Sequence, residues 1–199
     1  MILQQIVDLM EIGLDSAGIT FTGIKVCELG DQRMKWNKFL TGKNWIIEQG
    51  AKEHISIDLN GKHGALKVDL SKPVDKWIGY FDMVTNYGTA EHVEDGIYEC
   101  YANIHNFTKT KGIMVHAGPM AGGCPWHSPY HYEPDFFKKL AEANGYTVIY
   151  ADNRIIPPRR RNMQPVDTTL VCAVLIKESD KPFMKKEEFV AMKAIEGLK

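Results

Sequence analysis

The sequence predicts a single α/β domain with a mostly parallel sheet and helices on both faces. Short apolar runs alternate with amphipathic helical segments along most of the 199 residues, a pattern typical of parallel sheets with crossover helices. Two further apolar runs near the end have no helix between them. We therefore expect these two to pair as an antiparallel hairpin. The length fits one domain.

The first half of the chain contains four predicted strands. Ile6, Leu9 and Met10 recur at helical spacing and predict an amphipathic helix over residues 3–14. The strands are predicted at residues 24–29, 54–58, 65–68 and 80–85. Between the first two strands, residues 32–49 are predicted to form a helix interrupted near Gly42, and the helical signal over residues 72–79 is weak.

The second half is predicted to complete the sheet. We expect a helix over residues 97–108, a strand over 112–116, a long loop over 117–132, a helix from Pro134 to the Asn144-Gly145 stop signal, and the strand pair 146–151 and 168–177. A final, largely solvated helix is predicted over residues 185–198. The domain then comprises an N-terminal helical region (1–23), a core (24–177) and a C-terminal helix (178–199).

Composition excludes several classes of function. The net charge of -1 disfavours a polybasic nucleic-acid binder. No apolar run approaches the about 18–20 residues that span a bilayer, and the N-terminus lacks the basic region of a signal peptide. The four cysteines are far apart without a CxxC pair, which predicts reduced thiols and a cytoplasmic location.

Polar residues follow four successive predicted strands, where open α/β sheets bind ligands. Gly30 can let the backbone approach a ligand closely, and Glu28 can receive a cationic or hydroxylated group. Asp58 is an acceptor placed for ribose hydroxyls, and Asp69 can read a nucleobase edge. Three of these residues also have a purely structural interpretation: Gly30 as a strand end, Asp58 as a turn former and Asp69 as a cap of the next segment.

The segments VCELGDQ, SIDLN, ALKVDL, FDMVTNYGTAEHV and KGIMVHAGP resemble, in order and spacing, the motifs of class I S-adenosylmethionine-dependent methyltransferases. The resemblance covers residues 24–177. It implies a Rossmann-like, seven-stranded sheet whose sixth and seventh strands are antiparallel, and S-adenosylmethionine as the cofactor. The first motif departs from the family pattern, because Asp31 and Gln32 follow Gly30 where a second glycine is usual.

The resemblance also implies roles for individual residues. Glu28 and Gly30, with Asp31 beside them, would line the methionine part of the cofactor. Asp58, followed by Leu59, would hold the ribose hydroxyls. The remaining predicted cofactor contacts are Asp69 and Leu70 at the adenine, and Asn86 and Tyr87 along the cofactor toward the substrate.

The acceptor side is predicted from histidines near the expected mouth of the site. His92, His127 and His131 are candidates for a base that removes a proton from an oxygen or nitrogen acceptor. Ordinary loop histidines, hydrogen-bonded to the backbone, are the alternative. The aromatic residues Trp126, Tyr130 and Tyr132 would either wall the substrate or cover the sheet edge.

Two further clusters have weaker functional interpretations. Cys124, His127 and His131 have a spacing that zinc could use, but prolines interrupt it and no second Cys/His pair lies near, so we predict no metal. Arg159, Arg160 and Arg161 form either a solvated loop or a clamp for an anionic acceptor.

The predicted function is methyl transfer to a small-molecule acceptor. A non-catalytic cofactor-binding or interaction protein of the same fold is one alternative, which the single-glycine first motif leaves open. An NAD(P)-dependent oxidoreductase is another. Two observations weaken it: the missing GxGxxG, and the thirty positions from Glu28 to Asp58, against about 20 from fingerprint to acid in that family.

Overall fold

The computed structural model describes residues 2, 4–34, 41–123, 127–156 and 168–198. Its strands are β1 (Lys25–Leu29), β2 (Glu53–Asp58), β3 (Leu66–Lys67), β4 (Phe81–Tyr87), β5 (Thr108–Pro119), β6 (His131–Tyr132), β7 (Thr147–Ile156), β8 (Thr168–Ile176) and β9 (Ile195–Glu196). Its helices are α1 (Gln4–Ala17), α2 (Gly42–Glu48), α3 (Ile97–Phe107), α4 (Phe136–Asn144) and α5 (Lys186–Ala191), with a 3₁₀ turn at Ala90–His92.

Seven of these strands form one sheet in the order β3-β2-β1-β4-β5-β8-β7. The first five strands of that order run parallel, whereas β8 is antiparallel to both of its neighbours, β5 and β7. The predicted α/β class and the antiparallel pairing of the last two long strands are confirmed. The arrangement differs in detail from a simple closing hairpin, because β8 inserts between β5 and β7 and leaves β7 at the edge.

Hydrophobic clusters cover both faces of this sheet. One cluster includes Tyr101 of α3, Phe136 of α4 and Phe189 of α5, and the other includes Leu9 of α1 and Ile46 of α2. Alternate residues of β1 divide between the two clusters, as the side-chain alternation of a strand buried on both faces requires.

Several predicted boundaries shift. Strand β5 begins at Thr108 and β7 continues to Ile156, so both are longer than their apolar runs. Of the helix predicted over residues 32–49, residues 32–34 are not helical, and Arg33 and Met34 form isolated β-bridges instead. The helix that does form is α2, where the Thr41 hydroxyl accepts the hydrogen bond of the Asn44 N–H and fixes the start. Residues 72–79 form turns and bends rather than a helix.

The C-terminal segment corrects the prediction most clearly. The predicted helix ends at Ala191, and residues 195–196 instead pair antiparallel with β6. Much of the segment is exposed, as predicted, but Phe189 and Ile195 are buried in the core. Lys193, which lies between α5 and β9, has a positive φ; this residue ends the helix and turns the chain so that Ile195 packs into the core.

The described cysteines Cys27, Cys100 and Cys172 are buried free thiols, as predicted, and Cys124 lies outside the described residues. No helix in the described part of the chain is both long enough and apolar enough to span a bilayer. The cytoplasmic location stays a prediction.

Candidate functional site

A cleft of about 710 Å³ opens at the carboxyl ends of β1 and β2. Its lining comes from the five segments 30–32, 57–59, 68–71, 88–89 and 92–94. The volume lies within the range of small-molecule sites, about 300–1,000 Å³. Six of the residues predicted to bind the cofactor line this cleft: Gly30, Asp31, Asp58, Leu59, Asp69 and Leu70. The sheet edge chosen from the sequence is therefore the edge that carries the cleft.

Gly30 forms the tight turn that leaves β1. Its φ is 87°, a left-handed conformation that favours glycine. The Gly30 N–H donates to the Ile57 carbonyl at 2.7 Å, which ties the ends of β1 and β2 together. A Cβ at this position would lie only 2.6 Å from Thr89 Oγ1. Only a residue without a side chain fits here, and the bare backbone of Gly30 therefore forms part of the cleft wall.

Gly30→Ala tests this packing. We expect Gly30→Ala to lower the free energy of unfolding by about 1–3 kcal/mol more than Gly18→Ala does. Both replacements place an alanine at a positive φ, but only the alanine at position 30 would clash with a neighbouring side chain. Gly18 is the matched control, since it has a φ of 66° and no atom within 4 Å of a built Cβ. Urea denaturation measures both variants. Equal losses would show that Thr89 moves aside freely.

Asp58 joins the two strand ends beneath the cleft. One carboxylate oxygen accepts from the Asp31 N–H at 3.1 Å and the other accepts from the Asn60 N–H at 2.8 Å. The turn-forming interpretation is thus realised. Because each carboxylate oxygen can accept two hydrogen bonds, this half-buried side chain keeps acceptor capacity for a ligand.

Asp69 also combines a structural role with its place on the cleft wall. Its Oδ1 accepts from the Ser71 N–H at 3.0 Å and from the Ser71 hydroxyl at 2.6 Å, and Lys72 Nζ lies 3.1 Å from Oδ2. The hydrogen bonds from Ser71, and then the one from Lys72, hold the pKa of Asp69 below its ordinary value. The carboxylate therefore stays charged beside Leu70.

The turn after β1 is fixed by Gln32, which sequence reasoning did not place in the site. Its N–H donates to Glu28 Oε1 at 3.2 Å, and its side-chain amide donates to the Tyr87 carbonyl at 3.0 Å. Gln32 also lines the cleft. These bonds hold the loop that additional glycines shape in the family pattern. The signal available in the sequence was only the four-residue separation from Glu28.

Three residues predicted to contact the cofactor do not line the cleft. Glu28 is buried, and its Oε1 also accepts from the Ser56 hydroxyl at 3.1 Å. Asn86 is buried and accepts from the Ala90 N–H at 3.0 Å, which starts the 3₁₀ turn. The Tyr87 side chain packs in the cluster with α1. These three residues position the lining instead of forming it.

The 3₁₀ turn brings Glu91 and His92 beside His127. The two imidazole rings lie 5.1 Å apart between centroids, and one donor atom from each of the three side chains lies within 4.8 Å of the others. His92 also lines the cleft. Burial and then the His127 ring lower the pKa of His92. Two of the three predicted candidate bases thus meet at the edge of the cleft.

Glu91 is the member of this group that sequence reasoning did not choose. It is 1% exposed, and neither carboxylate oxygen has a hydrogen-bond partner. Burial raises its pKa to about 7. The only sequence signal was its position directly before His92, after the fourth strand.

His131 and the predicted aromatic wall lie elsewhere. His131 is buried in β6, opposite Glu196 of β9, and does not line the cleft. Tyr130 and Tyr132 are core residues, and Tyr132 stacks on Phe136 at 4.9 Å. These tyrosines therefore cover the sheet rather than wall a substrate. Trp126, Cys124 and the arginines 159–161 lie outside the described residues.

Comparison with solved structures shows the fold. The chain is similar to 1,6-didemethyltoxoflavin-N1-methyltransferase of Burkholderia thailandensis, solved with 1,6-didemethyltoxoflavin and S-adenosylhomocysteine (TM-score 0.57, 15% identity, 87% of this chain and 78% of that one). It is also similar to the N-methyltransferase NodS of Bradyrhizobium japonicum, solved with S-adenosylhomocysteine (TM-score 0.55, 11% identity, 88% and 87%). An S-adenosylmethionine-dependent methyltransferase of Mesorhizobium loti is a third similar structure (TM-score 0.55, 12% identity, 84% and 97%).

No protein-family model and no curated relative matches the chain. At these identities the similarity shows the fold alone. The chain has the class I S-adenosylmethionine-dependent methyltransferase fold, as the sequence motifs indicated.

Proposed function

We propose that the protein binds S-adenosylmethionine and transfers its methyl group to a small-molecule acceptor. The observation that carries this proposal is the pairing of Gly30 and Asp58 at the floor of the cleft. A glycine in a left-handed conformation and a carboxylate with spare acceptor capacity meet at adjacent strand ends. Bound S-adenosylhomocysteine in two proteins of the same fold supports the choice of ligand.

The cleft residues fit the parts of this cofactor. Asp58 would accept hydrogen bonds from the ribose hydroxyls, and Leu70 with the adjacent Asp69 would contact the adenine. The open backbone at Gly30, which a Cβ would close, would admit the methionine part. Asp31, with its carboxylate in contact with His63, stands beside Gly30 and would face the same part.

When bound, S-adenosylmethionine supplies an electrophilic methyl group on a sulfonium. The work left to the protein is to hold the acceptor in line with that group and to exclude water. His92 marks the side of the cleft from which the acceptor would approach. The earlier prediction that His131 acts as the base is left out of the proposal, because that residue is buried in β6.

A small-molecule acceptor is favoured over nucleic acid by charge. With 24 basic against 25 acidic residues, the chain lacks the excess of Lys and Arg that a phosphate track requires. The anionic character of the acceptor remains a prediction, because it rests on the arginines 159–161.

Asp58→Ala tests the proposal. We expect calorimetry to show one site for S-adenosylmethionine or S-adenosylhomocysteine on the unaltered protein. The variant should bind more weakly by about 1–3 kcal/mol, because ligand hydroxyls lose their acceptor. That difference is about a five- to 150-fold rise in Kd.

Asp75→Ala is the matched control, since Asp75 is exposed and does not line the cleft. The absence of heat with both compounds, together with tight NAD binding, would replace this function with the oxidoreductase alternative. Binding without methyl transfer to any acceptor in a panel of small hydroxyl and amine compounds would support the non-catalytic alternative.

A further inference from the structure

Glu91, His92 and His127 form a set of metal-ligating side chains at one end of the cleft. Each of them offers a donor atom, and the three atoms lie within 4.8 Å of one another. Donors about 2.0–2.2 Å from a common ion, as in zinc sites, lie at most about 4.4 Å apart. Three donors that all lie within 4.8 Å of one another can therefore reach one common ion with at most small side-chain rotations.

Glu91 is the strongest sign that something binds here. Both of its oxygens are buried without a hydrogen-bond partner, an arrangement that costs free energy unless a counter-charge is supplied. A cation between Glu91 and the two imidazoles would supply it.

The backbone holds this carboxylate in place. Asn86 Oδ1 accepts from the Ala90 N–H at 3.0 Å, and the His92 N–H donates to the Thr89 carbonyl at 3.0 Å. The first bond ties the turn that carries two of the three donors to the end of β4, and the second closes the turn itself. His127 comes from the segment before β6, so the site joins two loops that are distant in sequence.

We propose that Glu91, His92 and His127 bind one divalent first-row transition metal ion, such as Zn²⁺, Co²⁺ or Mn²⁺. Two imidazoles and one carboxylate suit these ions better than Mg²⁺ or Ca²⁺, which prefer oxygen ligands. Three protein ligands leave at least one coordination position open. Because His92 also lines the cleft, the ion would adjoin it.

The site has a consequence that rests on the proposed function. A histidine nitrogen bound to a metal ion is not available as a general base. His92 and His127 would then position the ion, and the ion would hold an oxygen or nitrogen donor of the acceptor at its open position.

Metal binding is tested without cofactor or acceptor. Chelator-treated protein is titrated with Co²⁺ and followed by its visible absorption, and Zn²⁺ is then added as a competitor. We expect one Co²⁺ per chain, displaced by Zn²⁺. Glu91→Gln and His127→Ala should each weaken Co²⁺ binding by about tenfold or more, since even outer-shell changes cost 10–100-fold.

Two control variants remove similar groups outside the site. Glu142→Gln alters an exposed carboxylate on α4 that does not line the cleft, and His63→Ala removes an exposed imidazole; both variants should bind Co²⁺ as the unaltered protein does. Because His127 is exposed, His127→Ala keeps the test valid if Glu91→Gln does not fold.

Two results would overturn the proposal. One is the absence of Co²⁺ binding by the unaltered protein. The other is a Co²⁺ affinity in Glu91→Gln and His127→Ala that equals that of the unaltered protein, which would mean that these side chains do not bind the ion. Calorimetry with S-adenosylhomocysteine on the unaltered protein keeps the two proposals separate, since Co²⁺ binding without S-adenosylhomocysteine binding would refute only the proposed function.

Discussion

Phe189→Ala is expected to lower the free energy of unfolding by about 3–5 kcal/mol, the range for removing a buried aromatic side chain. Phe189 is 1% exposed. Its ring lies 5.6 Å from that of Tyr98, 5.8 Å from that of Tyr101 and 6.1 Å from that of Phe136. The cavity would open among rings contributed by α3 and α4, and backbone movement could fill only part of it.

Urea denaturation of Phe189→Ala and of Glu187→Ala provides the comparison. Glu187 is exposed on the same helix, and surface changes of this kind stay within about 0.5 kcal/mol. If the two variants unfolded at the same urea concentration, α5 would be the solvated helix that its sequence suggests, and the packing described here would be wrong.

The C-terminal segment also packs against the segment that carries His127. Strand β9 pairs with β6, and a Cβ on Gly197 would lie 2.2 Å from the Pro129 carbonyl oxygen. The chain between His127 and β6 is therefore held from outside by the last residues. We expect Phe189→Ala to loosen that segment as well as the core.

Local patterns predict the sheet and its binding edge well. The apolar runs of β1, β2 and β4 are strand-length, and buried strands are recognisable from hydrophobicity alone. Gly30 and Asp58 follow two of these runs, and parallel topology brings strand ends to one edge. That is why the cleft could be located before the structure was known.

Features that depend on distant contacts could not be predicted in the same way. The spacing of Phe189 and its neighbours is helical, but it does not reveal the pairing of β9 with β6, which lies more than 60 positions away in sequence. Gln32 fixes a turn through the carbonyl of Tyr87, a contact with no local signature. From the sequence alone, Glu91 would be assigned to the surface, whereas the fold buries it.

Acid is expected to destabilise the protein through two buried histidines. Burial lowers the pKa of His116 to about 3. Burial, and then the Lys177 ammonium, lower the pKa of His105 to about 4. In the unfolded chain both groups take up protons near pH 6.5. As the pH falls below 6.5, the unfolded state therefore binds more protons, and the free energy of unfolding decreases.

The surroundings of each ring explain why the folded state resists protonation. His116 stacks on Phe137 at 4.9 Å and lies 5.8 Å from the Tyr101 ring, and neither of its nitrogens has a hydrogen-bond partner. His105 Nε2 donates to the Lys181 carbonyl at 2.8 Å, so Nδ1 accepts from the Tyr146 hydroxyl at 2.7 Å. The Asp180 carboxylate raises the pKa of His105, but by less than the Lys177 ammonium lowers it.

His116→Leu measures how much of this acid sensitivity comes from the protonation of His116. Each histidine contributes about 1.4 kcal/mol of lost stability per pH unit, for His116 from pH 6.5 toward 3 and for His105 from 6.5 toward 4. Urea denaturation at intervals between pH 7 and 4.5 should therefore give a shallower slope for His116→Leu, by about one proton, whatever its stability at neutral pH. His105→Gln should flatten the slope by a similar amount. A slope unchanged in both variants would mean that other groups cause the acid sensitivity, and that the folded protein protonates these rings as readily as the unfolded chain does.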